Sequence, residues 1–169
     1  WALSYFSRMR LISNLLDHLR RGESLRRVVC VMAGSREGPI DPNDVSGRKV
    51  PIRQARGHLS SCITFGLEHF AEMAPEVSFI HDHPGSVPTK PTRALPPGMA
   101  SFAVSLSMAS GRKISLEESA ERHLFLTTSS RYPPISVEDR PLARGVPLSA
   151  GLRRGFFFTP PVAGGFYTA

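Results

Sequence analysis

Apolar residues recur at helical spacing in the middle of the chain, and they define the first element that the sequence predicts. Four side chains share this spacing: Leu59, Ile63, Leu67 and Phe70. A helix over residues 57–72 would gather them into one buried stripe. Short β-branched or aromatic segments stand on either side, at residues 27–33 and 77–83, and Gly or Pro follows each of them. The pattern predicts strand, helix, strand, with parallel strands and a right-handed crossover.

Two further helices are predicted on either side of this unit. Residues 3–20 carry a wide apolar face, and the cations and Gly22 that follow are typical of a helix end. A capping box marks the start of the second helix, with Ser115 as N-cap and Glu118 at the third helical position. We expect that helix to extend to about residue 127.

The remaining segments are rich in residues that interrupt regular structure. Gly, Pro, Asp and Asn dominate residues 34–50, which predicts a loop with a turn at residues 41–44. Five prolines between residues 84 and 97 prevent long helices or strands there. We interpret residues 91–114 as a region like the substrate loop or lid of an enzyme, and we expect little stable structure after Ser129.

The order of these elements is typical of the second half of a doubly wound α/β sheet. We therefore predict an α/β fold with a partial Rossmann-type parallel sheet in one domain over residues 1–132. An irregular tail rich in Pro, Gly and Arg, poorly ordered, is expected over residues 133–169. The sequence contains no glycine-rich phosphate loop, because its densest early glycines, Gly34 and Gly38, follow a strand but open a loop.

Composition narrows the classes of function. The 169 residues carry a formal net charge of +7, and all but three of the 21 cationic side chains are Arg. These stand as singles and doublets, so nucleic-acid binding ranks last. The sequence contains no run of about 18 apolar residues, so it predicts no membrane-spanning helix. Cys30 and Cys62 are expected to be free thiols, and no targeting signal is visible, so we expect a cytoplasmic protein and a piece of a longer chain.

Two histidines stand at a spacing that metal sites use. His81 and His83 are two positions apart on a predicted strand and share one face, as a zinc pair requires. No third ligand has a convincing spacing, so polar residues at a strand end are the preferred interpretation and no metal site is predicted. Ser110 and Lys113 match Ser-x-x-Lys, but the companion motifs of serine acyl-transfer enzymes are absent.

Several segments in a fixed order carry a family resemblance: residues 3–10, 27–34 with 37–41, 57–58 with 67–69, 77–81 leading to Pro84-Gly85, and 118–126 with 130–133. Over about residues 3–132, the chain resembles the short-chain dehydrogenase/reductase family, in particular its fungal secondary-metabolite branch. The resemblance implies a nicotinamide cofactor, NADP or NAD. It also implies a small or lipophilic carbonyl or alcohol as the substrate.

The resemblance assigns catalytic positions as well. In the family a Tyr moves the proton, a Lys four residues later binds the ribose and lowers the Tyr pKa, and a Ser holds the substrate oxygen. These positions fall on His58, Cys62 and Ala33, and no Tyr-x-x-x-Lys occurs in the sequence. His58 could move a proton or be a polar residue on a helix face. Four residues match the turn that lies beside the nicotinamide in the family: Pro84, Gly85, Val87 and Thr89. The alternative interpretation is that they only end the strand.

Three functions follow from the sequence and the resemblance. The first is an NAD(P)-dependent oxidoreductase, impaired or inactive alone because the phosphate loop and the Tyr, Lys and Ser functions are missing. The second is a non-catalytic remnant or accessory protein that binds a partner, or a second copy, through the apolar faces of helices 3–20 and 57–72. The third is a basic nucleic-acid-binding module.

Overall fold

The computed structural model describes residues 1–23, 25–87, 114–129, 131, 132 and 134, and the backbone of residues 156–158. The elements in chain order are a π-helical turn at Ala2–Phe6, α1 at Ser7–Arg20, β1 at Arg27–Val31, α2 at Ile52–Met73, β2 at Ser78–Asp82, α3 at Leu116–Thr128 and β3 at Phe156–Phe158. The predicted substrate loop, apart from residue 114, lies outside the described residues. So does the predicted tail, apart from residue 134 and β3.

The strands in the described residues form one parallel sheet in the order β1–β2–β3. β1 pairs with β2 from Arg27 opposite Ser78 to Val31 opposite Asp82. Because α2 connects these two parallel strands, the predicted strand–helix–strand unit and the α/β class are confirmed. The sequence does not predict β3, which lies in the tail and pairs with β2 from far along the chain.

Hydrophobic side chains are buried on both faces of the sheet. Successive strand residues point to opposite faces, so neighbouring residues of one strand enter different clusters. Val28 and Phe79 pack with α1 and α2, whereas Val29 and Ile80 pack with α3. The sheet is therefore covered by helices on either side, as the nearly continuous apolar character of its strands predicts.

The predicted apolar stripe of α2 is buried in the cluster that α2 forms with α1. Ile63 and Leu67 have no exposed surface, and Leu59 and Phe70 pack against this cluster while partly buried. The other side of α2 is covered by the loop that follows β1. That side buries polar side chains: His58, Ser60, Ser61 and Thr64.

The structure extends one helix and confirms the start of another. α2 begins at Ile52 instead of residue 57, after Pro51 as N-cap, and Ile52 is 93% exposed. At α3, Oγ of Ser115 accepts a hydrogen bond from the Glu118 N–H at 3.0 Å, as the capping box predicts. No helix in the described part of the chain has the length and apolar character needed to cross a membrane.

Candidate functional site

The candidate site is the edge of the sheet at which the parallel strands end. β1 ends at Val31 and β2 at Asp82, and these residues are paired in the register. Ligands of doubly wound α/β proteins bind outside this carboxyl edge. The loop that leaves β1 turns back over the N-terminal half of α2, so it lines the edge.

Glycines let this loop approach its neighbours closely. A Cβ on Gly34 would lie 2.2 Å from the carbonyl oxygen of His81, so only a residue without a side chain fits against the end of β2. Gly38 packs against Gly57 of α2, and its N–H donates to the Gly57 carbonyl at 3.1 Å. A Cβ on either of these two glycines would lie 3.0 Å from the Cα of the other. The loop therefore lies directly on α2.

A chain of hydrogen bonds lies beneath the loop. The Ala33 N–H is 3.3 Å from Nε2 of His81, and Nδ1 of His81 is 2.9 Å from Oγ1 of Thr64. Thr64 in turn donates to Oε1 of Glu37 at 2.8 Å. Burial is the main cause that lowers the pKa of His81 from 6.5 to about 4, so the imidazole is neutral at ordinary pH.

Two serines on the same side of α2 bind the loop by its carbonyl groups. Oγ of Ser60 donates to the Ala33 carbonyl at 2.6 Å, and Oγ of Ser61 donates to the Gly38 carbonyl at 2.6 Å. The apolar pattern does not mark these residues. A hydrophobic pattern gives no signal for them, because a serine outside the apolar stripe of a helix is ordinarily exposed to solvent.

His58, which matches the family's Tyr, is fully buried. Its Nε2 lies 3.2 Å from the Val45 carbonyl oxygen, and its Nδ1 accepts from the Asp41 N–H at 3.5 Å. The ring of Trp1 packs edge-on against the imidazole, with 5.0 Å between the centroids. Because both ring nitrogens contact backbone groups, the geometry favours a structural role in binding the loop over proton transfer.

Cys62 and Ala33, which match the family's Lys and Ser, are also buried. Burial raises the pKa of the Cys62 thiol, so this side chain stays neutral. A neutral thiol is only a weak hydrogen-bond donor and cannot replace the ammonium of the family's Lys. The N–H and carbonyl of Ala33 bind His81 and Ser60. Within the described residues, no side-chain hydrogen bond joins His58, Cys62 and Ala33 to one another, so they do not form a connected catalytic group.

A polar pair that the sequence does not predict lies at the end of β2. Oδ2 of Asp82 is 2.8 Å from Nε2 of His123 on α3, and Nδ1 of His123 is 2.6 Å from the Ser119 carbonyl oxygen. Asp82 is buried, and the His123 side chain is 28% exposed. Periodicity does not place α3 beside β2, which is why this pair is absent from the sequence candidates.

The two histidines with metal-like spacing do not converge on a shared third ligand in the part of the chain that the structure describes. Among those residues, no three His, Cys, Asp or Glu side chains lie close enough to hold a metal ion together. The ring nitrogens of His81 face the Ala33 N–H and Thr64. His83 is half-buried, and burial is the main cause that lowers its pKa.

The turn that matches the family's nicotinamide side follows β2. Pro84, Gly85 and Val87 are half-buried, and Thr89 lies outside the described residues. Gly85 has a φ of 76°, in the left-handed region that favours glycine. A Cβ there would also lie 3.2 Å from Cδ1 of Ile114. The turn geometry explains the glycine, and the cofactor role of these residues stays a prediction.

Comparison with known proteins relates the chain to fungal oxidoreductases. Over 155 residues it is 36% identical to oxidoreductase AN1596 of Emericella nidulans, which covers 89% of this chain and 45% of that protein. It is 29% identical over 140 residues to oxidoreductase andH of Emericella variicolor, covering 80% of this chain and 40% of that protein. It is 30% identical over 131 residues to the NmrA-like family domain-containing oxidoreductase notO of an Aspergillus species, covering 76% and 37%.

The chain is therefore homologous to part of these fungal proteins, which are named oxidoreductases. It spans less than half the length of these curated relatives. No protein-family model matches the chain, and no solved structure matches it significantly. Membership of the short-chain dehydrogenase branch stays a prediction.

Proposed function

We propose that the chain is the second half of an NAD(P)-dependent oxidoreductase of the short-chain dehydrogenase type. The observation that carries the proposal is the parallel β1–α2–β2 unit in a homologue of fungal oxidoreductases. The reaction would interconvert a small or lipophilic carbonyl and its alcohol, in fungal secondary metabolism, with NADP or NAD as hydride carrier. We also propose a cytoplasmic location, because Cys30 and Cys62 are free thiols.

The described residues do not fit a nicotinamide cofactor by themselves. The family's Lys donates to the ribose, whereas Cys62 is a buried neutral thiol at that position. His58 binds the backbone of the loop through both ring nitrogens. Losing a positioned general acid costs about 10²–10⁴ in rate. We therefore propose that this chain has no turnover alone and acts in an enzyme only when a nucleotide-binding half is supplied.

β1 lies at one edge of the sheet that the described strands form, and its outer side is suited to receive such a half. The Arg26 carbonyl and the Met32 N–H both bond to β2, so the odd-numbered residues of β1 direct their backbone groups away from it. One of these groups, the Val31 carbonyl, accepts from Nη1 of Arg8 at 3.1 Å. β1 is half-exposed along most of its length, whereas β2 is buried throughout. A further parallel strand would cover this edge.

A cofactor titration tests the proposal. The purified chain is titrated with NADPH and NADH while the nicotinamide fluorescence is recorded. We expect no change up to millimolar cofactor and no cofactor oxidation in the presence of carbonyl compounds. Adding the part of the Emericella nidulans relative that this chain does not match should give a complex that binds cofactor. Turnover by the chain alone would refute the proposal that it lacks the catalytic groups. A mixture that forms no complex and binds no cofactor would count against an oxidoreductase of the short-chain dehydrogenase type.

The transcript provides an independent test. The reading frame upstream of the Trp1 codon should encode a strand, a glycine-rich loop and a helix, which together form a dinucleotide-binding unit. Such a frame would place the cofactor site in the same polypeptide. An upstream frame of unrelated fold would leave the accessory function as the better explanation.

A second function is favoured by exposed apolar residues on α1, the turn before it and α2. Leu3 is 83% exposed, and Leu11 and Phe65 are each 60% exposed. We propose, as the alternative, an accessory protein that binds a partner or a second copy through this surface. Sedimentation equilibrium over a range of concentrations should then show association that Leu11→Gln weakens. Leu124→Gln is the control, because Leu124 is 62% exposed on α3. A monomer at every concentration would exclude the homodimer.

A further inference from the structure

The polar side of α2 takes part in a network that the proposed function does not use. It consists of His81, Thr64 and Glu37, which we call the relay. Glu37 belongs to residues 33–38, which we call the β1-exit segment, and the relay joins this segment to β2 and α2. We infer that the relay is a proton-sensitive latch. It holds the β1-exit segment against α2 while His81 is neutral, and it releases the start of that segment when His81 takes up a proton. The latch is a property of this chain alone and does not depend on the oxidoreductase proposal.

The direction of each hydrogen bond in the relay follows from what its groups can donate. A backbone N–H only donates, so Nε2 of His81, 3.3 Å from the Ala33 nitrogen, accepts and carries no proton. The proton of the neutral imidazole is then on Nδ1, which donates to Oγ1 of Thr64 at 2.9 Å. The Thr64 hydroxyl donates to Oε1 of Glu37 at 2.8 Å. All three bonds are satisfied together only when His81 is neutral.

Charges on both sides of His81 act in opposite directions, and burial decides its protonation. Glu37 of the β1-exit segment and Asp82 of β2 favour the charged imidazolium, whereas Arg8 of α1 and His83 disfavour it. Loss of hydration is the largest cause and lowers the pKa of His81 to about 4. An opened segment would admit water and restore a pKa near 6.5. The closed state therefore binds fewer protons than the open state.

Protonation would remove the bond at the start of the β1-exit segment. A proton on Nε2 would set two donors, the imidazole and the Ala33 N–H, against each other. Because the folded pKa is depressed, the closed state is fully stabilised above about pH 6.5 and loses stability as the pH falls towards about 4. The other end of the segment is bound by Oγ of Ser61 at the Gly38 carbonyl, without a titratable group. Opening should begin at the Ala33 N–H, while the Ala33 carbonyl keeps its bond from Oγ of Ser60, and it should spare Gly38.

Amide hydrogen exchange on the whole chain tests the latch by NMR across this pH range. After correction for intrinsic exchange rates, the opening equilibrium at the Ala33 amide should rise by up to about tenfold per pH unit as the pH falls below about 6. The Ser35 amide, which donates to Oε1 of Glu37 at 3.3 Å, should follow it. The Gly38 amide should change much less. The ring nitrogen shifts of His81 should show the proton on Nδ1 at neutral pH.

Matched variants separate His81 from its neighbours. Thr64→Val keeps the shape of the side chain but removes the hydroxyl, so protection of the Ala33 amide should fall even at neutral pH. Thr64→Ser keeps the hydroxyl and should retain the protection. Glu37→Gln still offers an acceptor to Thr64 but removes the titration of the carboxylate. The pH dependence should therefore persist in Glu37→Gln.

Three results would overturn the latch. A pH dependence that disappears in Glu37→Gln would assign the titration to the carboxylate. Loss of Ala33 protection only in parallel with the circular dichroism of the helices would indicate global acid unfolding. A proton on Nε2 of His81 at neutral pH would contradict the direction of the relay. None of these measurements uses a cofactor, so failure of the latch can be distinguished from failure of the oxidoreductase proposal.

Discussion

At the scale of single residues, Gly34 shows how closely the chain packs where it leaves β1. The oxygen nearest to an added Cβ is the backbone carbonyl of His81, at 2.2 Å, which cannot rotate away as a side-chain tip can. Gly22 at the end of α1 is less constrained, because an added Cβ would lie 3.2 Å from the Leu19 carbonyl oxygen. An added methyl group should therefore destabilise the fold more at Gly34 than at Gly22.

We predict that Gly34→Ala lowers the free energy of unfolding by about 1–3 kcal/mol, because β2 or the loop must move to admit the methyl group. Urea denaturation followed by circular dichroism measures this loss. Gly22→Ala is the matched control, and we expect it to change the same quantity by less than about 1 kcal/mol. Equal losses in the two variants would contradict the close packing at Gly34.

Asp44 stabilises the loop over α2 by accepting backbone hydrogen bonds. The N–H groups of Arg48, Lys49 and Val50 donate to its carboxylate at 3.0, 2.6 and 3.1 Å. These bonds, led by the one from Lys49, hold the pKa of Asp44 below its ordinary value of 3.8. The stabilisation is therefore present above the unfolded-state pKa and is lost as the pH falls through the lower folded-state value.

We predict that Asp44→Asn lowers the melting temperature at neutral pH, because an amide oxygen is a weaker acceptor than a carboxylate. The difference from the parent chain should narrow as the pH falls below about 4, because Asp44 of the unfolded parent takes up its proton there before Asp44 of the folded parent does. Thermal melts across this pH range measure both effects. Asp17→Asn, at an exposed position on α1, is the control. A difference that is the same at every pH would rule out the carboxylate as its cause.

At the scale of elements, periodicity predicts those helices and strands whose apolar side is covered by a neighbour. This condition holds for α1, α2, β1 and β2, and the capping box locates the start of α3. The first turn of α2 is missed because Ile52 is 93% exposed and contributes nothing to the stripe. β3 is missed because its backbone pairs with β2 from a distant part of the chain, which no local pattern reveals.

The candidate site is less predictable than the elements that form it. Ser60 and Thr64 lie on a helix side that a hydrophobic pattern assigns to solvent, yet the loop after β1 buries them. The position of His81 on a strand is predicted, but its partners come from the loop and from α2. Hydrogen bonds between separate segments leave no periodic pattern in the sequence. The relay can therefore be recognised only once the folded structure is known.

Arg27 connects the first strand to the last described helix. Its guanidinium donates to the carbonyl oxygens of Leu126, Ser129 and Tyr132, each at 2.7 Å. The last carbonyl groups of a helix lack intrahelical partners, so the bonds to Leu126 and Ser129 cap the C-terminal end of α3, and the third bond holds the residues that follow it. Burial lowers the pKa of Arg27, but a guanidinium stays charged in proteins.

We predict that Arg27→Lys destabilises the chain by about 1–3 kcal/mol, because an ammonium cannot reproduce the planar fork that binds several carbonyl groups together. Arg26→Lys is the control, since among the described residues the Arg26 guanidinium donates to one backbone carbonyl, that of Gly22, at 2.7 Å. Urea denaturation gives both values. If the control loses as much stability as Arg27→Lys, the cap on α3 is not the cause.

At the scale of the whole molecule, two hydrophobic clusters share one thin sheet. Leu67 belongs to the cluster with α1 and α2, and Leu126 belongs to the cluster with α3. Both are nearly without exposed surface, at 0% and 2%. Because the two faces of β1 and β2 carry opposite clusters, neither cluster can lose its strands without exposing the other. The described part of the chain should therefore unfold cooperatively.

We predict that Leu67→Ala and Leu126→Ala each lower the free energy of unfolding by about 2–5 kcal/mol and leave a single transition. Circular dichroism and the fluorescence of Trp1 should give the same midpoint. Leu124→Ala, on the exposed side of α3, should cost less than about 0.5 kcal/mol. Separate transitions for the two probes would contradict cooperative unfolding of the described part of the chain.

The hydrogen bonds of Arg27 also determine when, during synthesis of the chain, its side chain can find its partners. Their acceptors lie between 99 and 105 positions further along the chain. A ribosome adds about 5–20 residues per second, so β1 is synthesised roughly 5–20 s before its last partner exists. During that interval β1 and α2 can meet, but the guanidinium must remain hydrated and one face of the sheet uncovered. A nascent chain halted before α3 would therefore expose this face of the sheet to the chaperones and proteases of the cell.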